Sequence, residues 1–290
     1  HMRLLEAVLP RDHDLYTIGD DHDGALAQYT SALEETISDI EKNSKAFWIH
    51  LGDMNETLVV NHPYYDPATL RKDEHGNPSI PYNQVLRNAE RYGPIASKGI
   101  ACLDGNHENR VKNTYPLTQH FLREIKRQEI YGGYTCKITV KDPDGRFMYK
   151  IFAFHGRTLA DSRAGSERQK EANRAEQLKR VLAPLAGDCA IMLMGHTHRL
   201  QVVKPIKRLY LIDDGNKIKQ SYTKIVQEPS NGHPIDADSR FYINTGTFLR
   251  TQLINNDTYS EMRGYAPNKI GYAIVKIRNG VIRDAVEVEI

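Results

Sequence analysis

Phe47-Trp48-Ile49-His50-Leu51-Gly52-Asp53-Met54-Asn55 decides how the rest of the chain is read. A short apolar run that stops at Gly-Asp reads as a buried strand delivering one carboxylate at its C-terminal tip. The same order of apolar run, glycine and metal-ligand side chains recurs in Leu15–Gly24 (LYTIGDDHDG), Ile100–Arg110 (IACLDGNHENR), Ile151–Thr158 (IFAFHGRT) and Ala190–His198 (AIMLMGHTH). Strand tips are where open α/β sheets place ligands, because side chains there stand on rigid backbone at the edge of solvent. Five such tips can converge on one site.

In chain order the tips offer Asp20 and His22, Asp53, Asn106 and His107, His155, then His196 and His198. Carboxylate, imidazole and amide oxygen together suit Mn, Fe or Zn better than the all-oxygen preference of Ca or Mg. There are too many donors for one tetrahedral ion. Two divalent ions sharing a bridging carboxylate would use them all, and a close metal pair is a recurrent device for displacement at phosphorus.

The blocks Asp20-Asp21-His22, Gly52-Asp53, Gly105-Asn106-His107-Glu108, His155-Gly156 and Gly195-His196-Thr197-His198 stand in that order. The set resembles the calcineurin-like metallophosphoesterase superfamily, whose motifs run D-x-H, G-D, G-N-H-[D/E], H and G-H-x-H. The likeness spans residues 20 to 198 and is loose over the last third. It implies an α/β fold, a four-layer α-β-β-α sandwich of two packed mixed sheets with helices outside. It also implies that Asp53 bridges two ions, that Asp20, His22 and His198 complete one, and that Asn106, His155 and His196 complete the other. Alternate positions in a strand-tip D-x-H point the same way, so Asp20 and His22 can share an ion. Sending His196 and His198 to different ions requires a turn instead. The mechanism implied is in-line attack by a metal-bridging hydroxide, with His107 as general acid and Glu108 placed to hold its imidazole. Arg110 and Arg157, each just beyond a ligand, remain available for the substrate phosphate.

The substrate is less sharply drawn. The serine/threonine phosphoprotein phosphatase branch has Asp-Arg-Gly after its second motif and arginine before G-N-H. Here Asp53 leads into Met54-Asn55-Glu56, and Asp104 precedes Gly105. A carboxylate in the arginine's place disfavours a dianionic monoester, and the G-H-x-H ending resembles the phosphodiesterase and nuclease branches. Single-stranded nucleic acid is then the expected polymer substrate. A phosphomonoesterase acting on nucleotides or phosphoproteins is the alternative, and a non-catalytic binding module that keeps the fold is an alternative of another class.

With 290 residues, 40% hydrophobic and 26% charged, the chain is long enough for one large domain, and a site drawn from both ends favours one domain over 1–290. His1-Met2 reads as a cloning remnant, no signal peptide precedes the first motif, and no apolar run is long enough for a membrane helix. Three scattered cysteines, Cys102, Cys136 and Cys189, fit buried thiols in a reducing cytoplasm. A net charge of +2 permits a polyanionic substrate without demanding one.

Along the chain, Asp12-His13-Asp14 precedes its strand and reads as loop. Ala25 to Lys42 has helical spacing, giving a βαβ unit with the flanking strands. Residues 55–98 form a Pro/Tyr-rich insertion, with a helix only over Tyr82–Tyr92. It reads equally as a lid, with Tyr64, Tyr65 or Tyr82 presented to a base, or as a segment packed on its own tyrosines. Helices are expected over Leu117–Arg127 and residues 161–183, and a hairpin turn at 141–145. From about residue 200 the pattern is mainly β, with strands Leu209–Ile212, Tyr222–Val226, Phe241–Asn244, Gly271–Ile277 and Val281–Ile290.

Overall fold

The computed structural model describes residues 2–63, 65–77, 80–227, 234–254 and 258–290. Tyr64, Pro78 and His233 lie outside the described residues.

The elements run β1 (Arg3–Val8), β2 (His13–Ile18), α1 (Thr30–Lys42), β3 (Ala46–His50), α2 (Ile80–Tyr92), β4 (Gly99–Leu103), α3 (Asn106–Asn109), α4 (Leu117–Glu124), β5 (Tyr131–Gly133), β6 (Thr135–Lys141), β7 (Phe147–Phe154), α5 (Glu167–Leu182) and β8 (Ile191–Met194). They continue as β9 (Leu200–Val203), β10 (Leu209–Asp213), β11 (Ile218–Tyr222), β12 (Phe241–Thr245), α6 (Tyr259–Met262), β13 (Gly271–Arg278) and β14 (Val281–Glu289). Two six-stranded mixed sheets result, ordered β1-β6-β7-β8-β12-β9 and β14-β13-β2-β3-β4-β5. In the second, β2 to β5 run parallel, as the βαβ reading requires.

The continuous apolar runs are explained by burial on both faces. On β3, Ile49 faces the other sheet while Trp48 faces the helices. On β8, Ile191 and Leu193 join the inter-sheet core, whereas Met192 and Met194 meet Leu178 and Leu182 of α5. Leu33, Ile37 and Ile40 of α1 and Phe121 of α4 cover the second sheet's outer face. The order of layers is therefore helix, sheet, sheet, helix.

Several boundaries differ from the sequence reading. His13 belongs to β2; its ring is buried between the Pro10 carbonyl and the Tyr149 hydroxyl, 2.6 Å from each, so it is a strand residue rather than loop. α1 starts at Thr30 because the residues before it are tied elsewhere: Leu26 N–H donates to Thr69 O of the insertion at 2.8 Å, and Ala27 O accepts Arg250 N–H at 2.9 Å. α5 starts at Glu167, where the Ser166 hydroxyl caps the first turn. α4 stops at Glu124. β11 is Ile218–Tyr222 rather than Tyr222–Val226, since Asp214 Oδ1 closes the turn on Asn216 and Lys217 and so fixes the register Leu209 to Tyr222. Among the described residues no helix is long and apolar enough to cross a membrane.

Candidate metal centre

The ends of β2, β3, β4, β7 and β8 bring the expected donors together. Asp20, His22 and His198 place ligand atoms within 4.8 Å of one another, as do Asp53, His155 and His196. Strand alternation is not what aligns them, contrary to expectation for Asp20 and His22. Among the described residues eight non-glycine residues have positive φ, and five are candidate ligands: Asp20 (54°), His22 (51°), Asp53 (51°), His196 (68°) and His198 (54°). Left-handed backbone at non-glycine residues costs energy and collects at functional sites. Here it turns each donor inward after its strand has ended, and it separates His196 from His198.

The loops after β2, β3, β4 and β8 are locked to one another to hold these turns. Asp20 N–H donates to Gly52 O and His22 N–H to Asp53 O, both at 3.0 Å, extending the β2–β3 pairing beyond the strands. Gly52 has φ +96°, and a Cβ there would meet Gly105 N at 2.6 Å, so the motif glycines let two backbones touch. Asp20 Oδ2 accepts His196 N–H and Asp53 Oδ1 accepts His107 N–H, each at 2.8 Å. Thr247, after β12, donates its hydroxyl to Asp20 O at 2.8 Å, so the loosely matching last third also braces the site.

Ring orientation follows from partners that can only accept. His155 Nδ1 donates to Leu51 O at 2.7 Å, which turns Nε2 toward Asn106 Oδ1 at 2.9 Å and Asp53 Oδ2 at 3.4 Å. His196 Nδ1 lies 2.7 Å from the same Asn106 oxygen. His22 Nδ1 donates to Glu56 Oε2 at 2.8 Å and turns Nε2 toward His198 Nε2 at 3.0 Å. Burial and the neighbouring His22 push His198 well below the usual histidine range, and burial with His155 lowers His196, leaving both as neutral lone-pair donors. Burial disfavours charge on His22 and His155 too, but Glu56, Asp53 and Asp20 beside His22, and Asp53 and Asp20 beside His155, outweigh it and raise each to about 9. Burial raises Asp20 to about 7 against the pull of His155.

Glu108 does not hold His107, as the sequence reading expected. Its buried carboxylate accepts the backbone N–H groups of Asp53 (3.0 Å), Asn55 (2.9 Å) and Gly105 (2.8 Å), and so pins two motif loops. The group beside His107 is Glu56, three residues past Asp53. Its carbonyl accepts from His107 Nδ1 at 2.7 Å and its carboxylate lies 3.6 Å from that nitrogen. The sequence reading missed Glu56; the signal available was an acid three positions beyond Gly-Asp. Arg110 lies across the His107 ring, with guanidinium nitrogens 2.9 Å from both ring nitrogens. Burial, with His22 and Arg110 adding to it, pushes His107 down to about 4 despite Asp53 and Glu56. Arg157 is exposed just past His155 and Gly156.

Two further expectations change. Asp104 is paired with Lys112 Nζ at 2.5 Å and accepts from the Tyr131 hydroxyl at 2.6 Å, so its charge is compensated away from the ligands. Of the tyrosines expected to meet a base, the two described ones are engaged elsewhere: Tyr65 on Leu58, Leu70 and Ile80, and Tyr82 on His120, ring centroids 5.5 Å apart. The insertion reaches the site through Glu56 instead, and α2 braces it, Arg87 and Arg91 pairing with Asp23 at 2.7 and 3.3 Å. Tyr134, which sequence reasoning also passed over, sets its ring edge-on to His155 at 5.3 Å.

No protein-family model matches the sequence, and no curated protein matches it. Among solved structures the chain is similar to a conserved uncharacterised protein of Streptococcus pneumoniae TIGR4 described as a predicted phosphoesterase, at 12% identity and a TM-score of 0.33, over 96% of this chain and 98% of that one. It is also similar to the NAD nucleotidase of Haemophilus influenzae, at 12% identity and a TM-score of 0.35, over 96% of this chain and 49% of that one. Overlaps of that depth bear on neither chemistry nor substrate, which the side chains of this chain have to supply.

Proposed function

We propose that residues 1–290 act as one metal-dependent phosphoesterase domain that holds two divalent cations, Mn, Fe or Zn, and hydrolyses phosphodiesters. The observation that supports this most directly is the meeting of Asp20, His22 and His198 with Asp53, His155 and His196 from four strand ends. The donors suit cations. Asp20 Oδ1 is buried with no hydrogen-bond partner, and the rings of His22 and His198 turn their Nε2 atoms on each other. Asp20, His22 and His198 would hold one ion and Asn106, His155 and His196 the other, with Asp53 between them. When bound, such cations supply Lewis acidity against the phosphoryl oxygens.

The protein's own part is positioning and proton transfer. Glu56 O holds His107 by Nδ1–H, so Nε2 is the atom that gives a proton to the leaving oxygen. With His107 pushed down to about 4, that second proton depends on a nearby phosphate anion to stabilise the imidazolium. Arg110 and Arg157 are the cations available to orient that phosphate, and Glu108 keeps Asp53 and Asn106 in register.

The diester reading, extending to single-stranded nucleic acid, draws support from the G-H-x-H ending and the absence of Asp-Arg-Gly. A monoester reading is favoured by one observation: the Asp104 carboxylate is neutralised by Lys112 and no longer argues against a dianion. The test is kcat/KM for bis-(p-nitrophenyl) phosphate and p-nitrophenyl phosphate under identical Mn loading, followed by cleavage of a labelled oligonucleotide. Preference for the diester is expected. Preference for the monoester with no cleavage of the oligonucleotide selects the second reading, and no turnover of either by metal-loaded protein defeats both.

A further inference from the structure

We infer that Asp21 and His50 are positioning residues that aim the metal-ligand candidate His155 through the Leu51–Gly52 peptide. Asp21, His50 and Tyr92 are fully buried, and they join the loop after β2 to the last residues of β3 and α2. Gly52 N–H donates to His50 Nδ1 at 3.1 Å, so that nitrogen offers its lone pair and the ring proton sits on Nε2. Nε2–H donates to Asp21 Oδ2 at 3.1 Å, and the Tyr92 hydroxyl donates to the same oxygen at 2.6 Å. The carbonyl of the same peptide, Leu51 O, accepts His155 Nδ1–H at 2.7 Å. One peptide is therefore gripped at its N–H by His50 and at its C=O by His155, and its tilt sets where His155 Nε2 points. With the ring proton on Nδ1 instead, two N–H groups would face each other and the peptide would have to turn.

A structural role alone does not account for Asp21. Among the described residues no lysine or arginine pairs with it, and its Oδ1 is buried without a hydrogen-bond partner. A carboxylate buried with so little support costs energy that an apolar residue of similar size avoids. What the apolar residue lacks is an acceptor that keeps the His50 proton on Nε2. Carboxylates fix the tautomer of ligand histidines in the same way, and here the effect is carried one peptide further. In Asp20-Asp21-His22 the first and third side chains go to the metal centre, while the second goes to the His50 ring.

The experiment compares the wild type with Asp21→Asn and Asp21→Leu/Tyr92→Phe by NMR of the His50 ring nitrogens in metal-free protein and by titration with Mn. The wild type should carry its proton on His50 Nε2. Asp21→Asn keeps an acceptor and should preserve that tautomer and most of the Mn affinity. The double variant, similar in volume but without an acceptor, should mix the two tautomers and bind Mn about tenfold more weakly or worse while keeping a cooperative thermal transition. If it does not fold, His50→Gln, which takes the acceptor from Gly52 directly, decides by the same titration and is expected to lose as much. A wild type with the proton on Nδ1, or an acceptor-free variant that binds Mn as the wild type does, overturns the inference. Asp21→Asn falling as far as the double variant also overturns it, since the loss then belongs to the missing charge. The inference rests on His155 being a ligand, and the two fail separately: a wild type that binds no Mn defeats the metal reading, whereas the tautomer is read without metal.

Discussion

Replacing Glu108 with alanine separates a loop-pinning role from a catalytic one. Glu108 is 2% exposed, and its carboxylate accepts three backbone N–H groups, from Asp53, Asn55 and Gly105. Without it those donors remain inside the protein with no acceptor, at about 1–3 kcal/mol each. Removing a buried carboxyl offsets part of this, since burial and the nearby Asp53 already raise its pKa. The expected net loss is about 3–5 kcal/mol, a large share of the roughly 5–15 kcal/mol that holds most domains together. Trp48, the only tryptophan, is fully buried on β3 next to the pinned loop and reports unfolding by its fluorescence. In urea the midpoint should fall by about 1 M or more, and Glu108→Gln should be intermediate, since one amide oxygen survives while its NH₂ faces N–H donors. Metal content and turnover should fall in the same samples because Asp53 and Asn106 lose their register. If Glu108→Ala unfolds within about 1 kcal/mol of wild type while turnover collapses, the pinning account is refuted.

Three more outcomes are expected. Asp53→Asn should fold but bind less metal and lose turnover, as read by elemental analysis of the purified variant; two ions per chain with unimpaired turnover would remove Asp53 from the centre. His107→Asn should keep its metal and lower kcat by about 10²–10⁴-fold, with a smaller loss for p-nitrophenolate than for an alkoxide leaving group; equal losses exclude proton donation. Lys137 and Lys150 hold Asp188 at about 2 although burial opposes this, so its contribution is present above the ordinary 3.8 and disappears as pH falls from about 4 to about 2. With the carboxylate 27% exposed, Asp188→Asn should cost only about 1–2 kcal/mol at pH 7, and the gap between the two urea curves should close over that acid range.

The apolar runs ending in glycine and a donor were legible as strand tips because burial on both faces demands continuous Val, Ile, Leu and Met, a property of local sequence. So was the pool of donors, since carboxylate, imidazole and amide are fixed by residue type. What sequence could not supply was direction and partner. Asp20, His22, Asp53, His196 and His198 reach the centre through left-handed backbone that loop-to-loop hydrogen bonds impose, not through strand alternation. Glu56 took the place expected of Glu108 because which acid meets His107 depends on how residues 53–56 and 105–108 cross, a contact between segments about fifty residues apart. Asp104 looked like a charge facing substrate until Lys112 and Tyr131 were found to enclose it. The two strands of the β10–β11 ribbon were likewise visible as β pattern, but the turn closed by Asp214 decided their register. Local pattern determines which residues are buried and which carry donor atoms; the meeting of distant segments determines what each one touches.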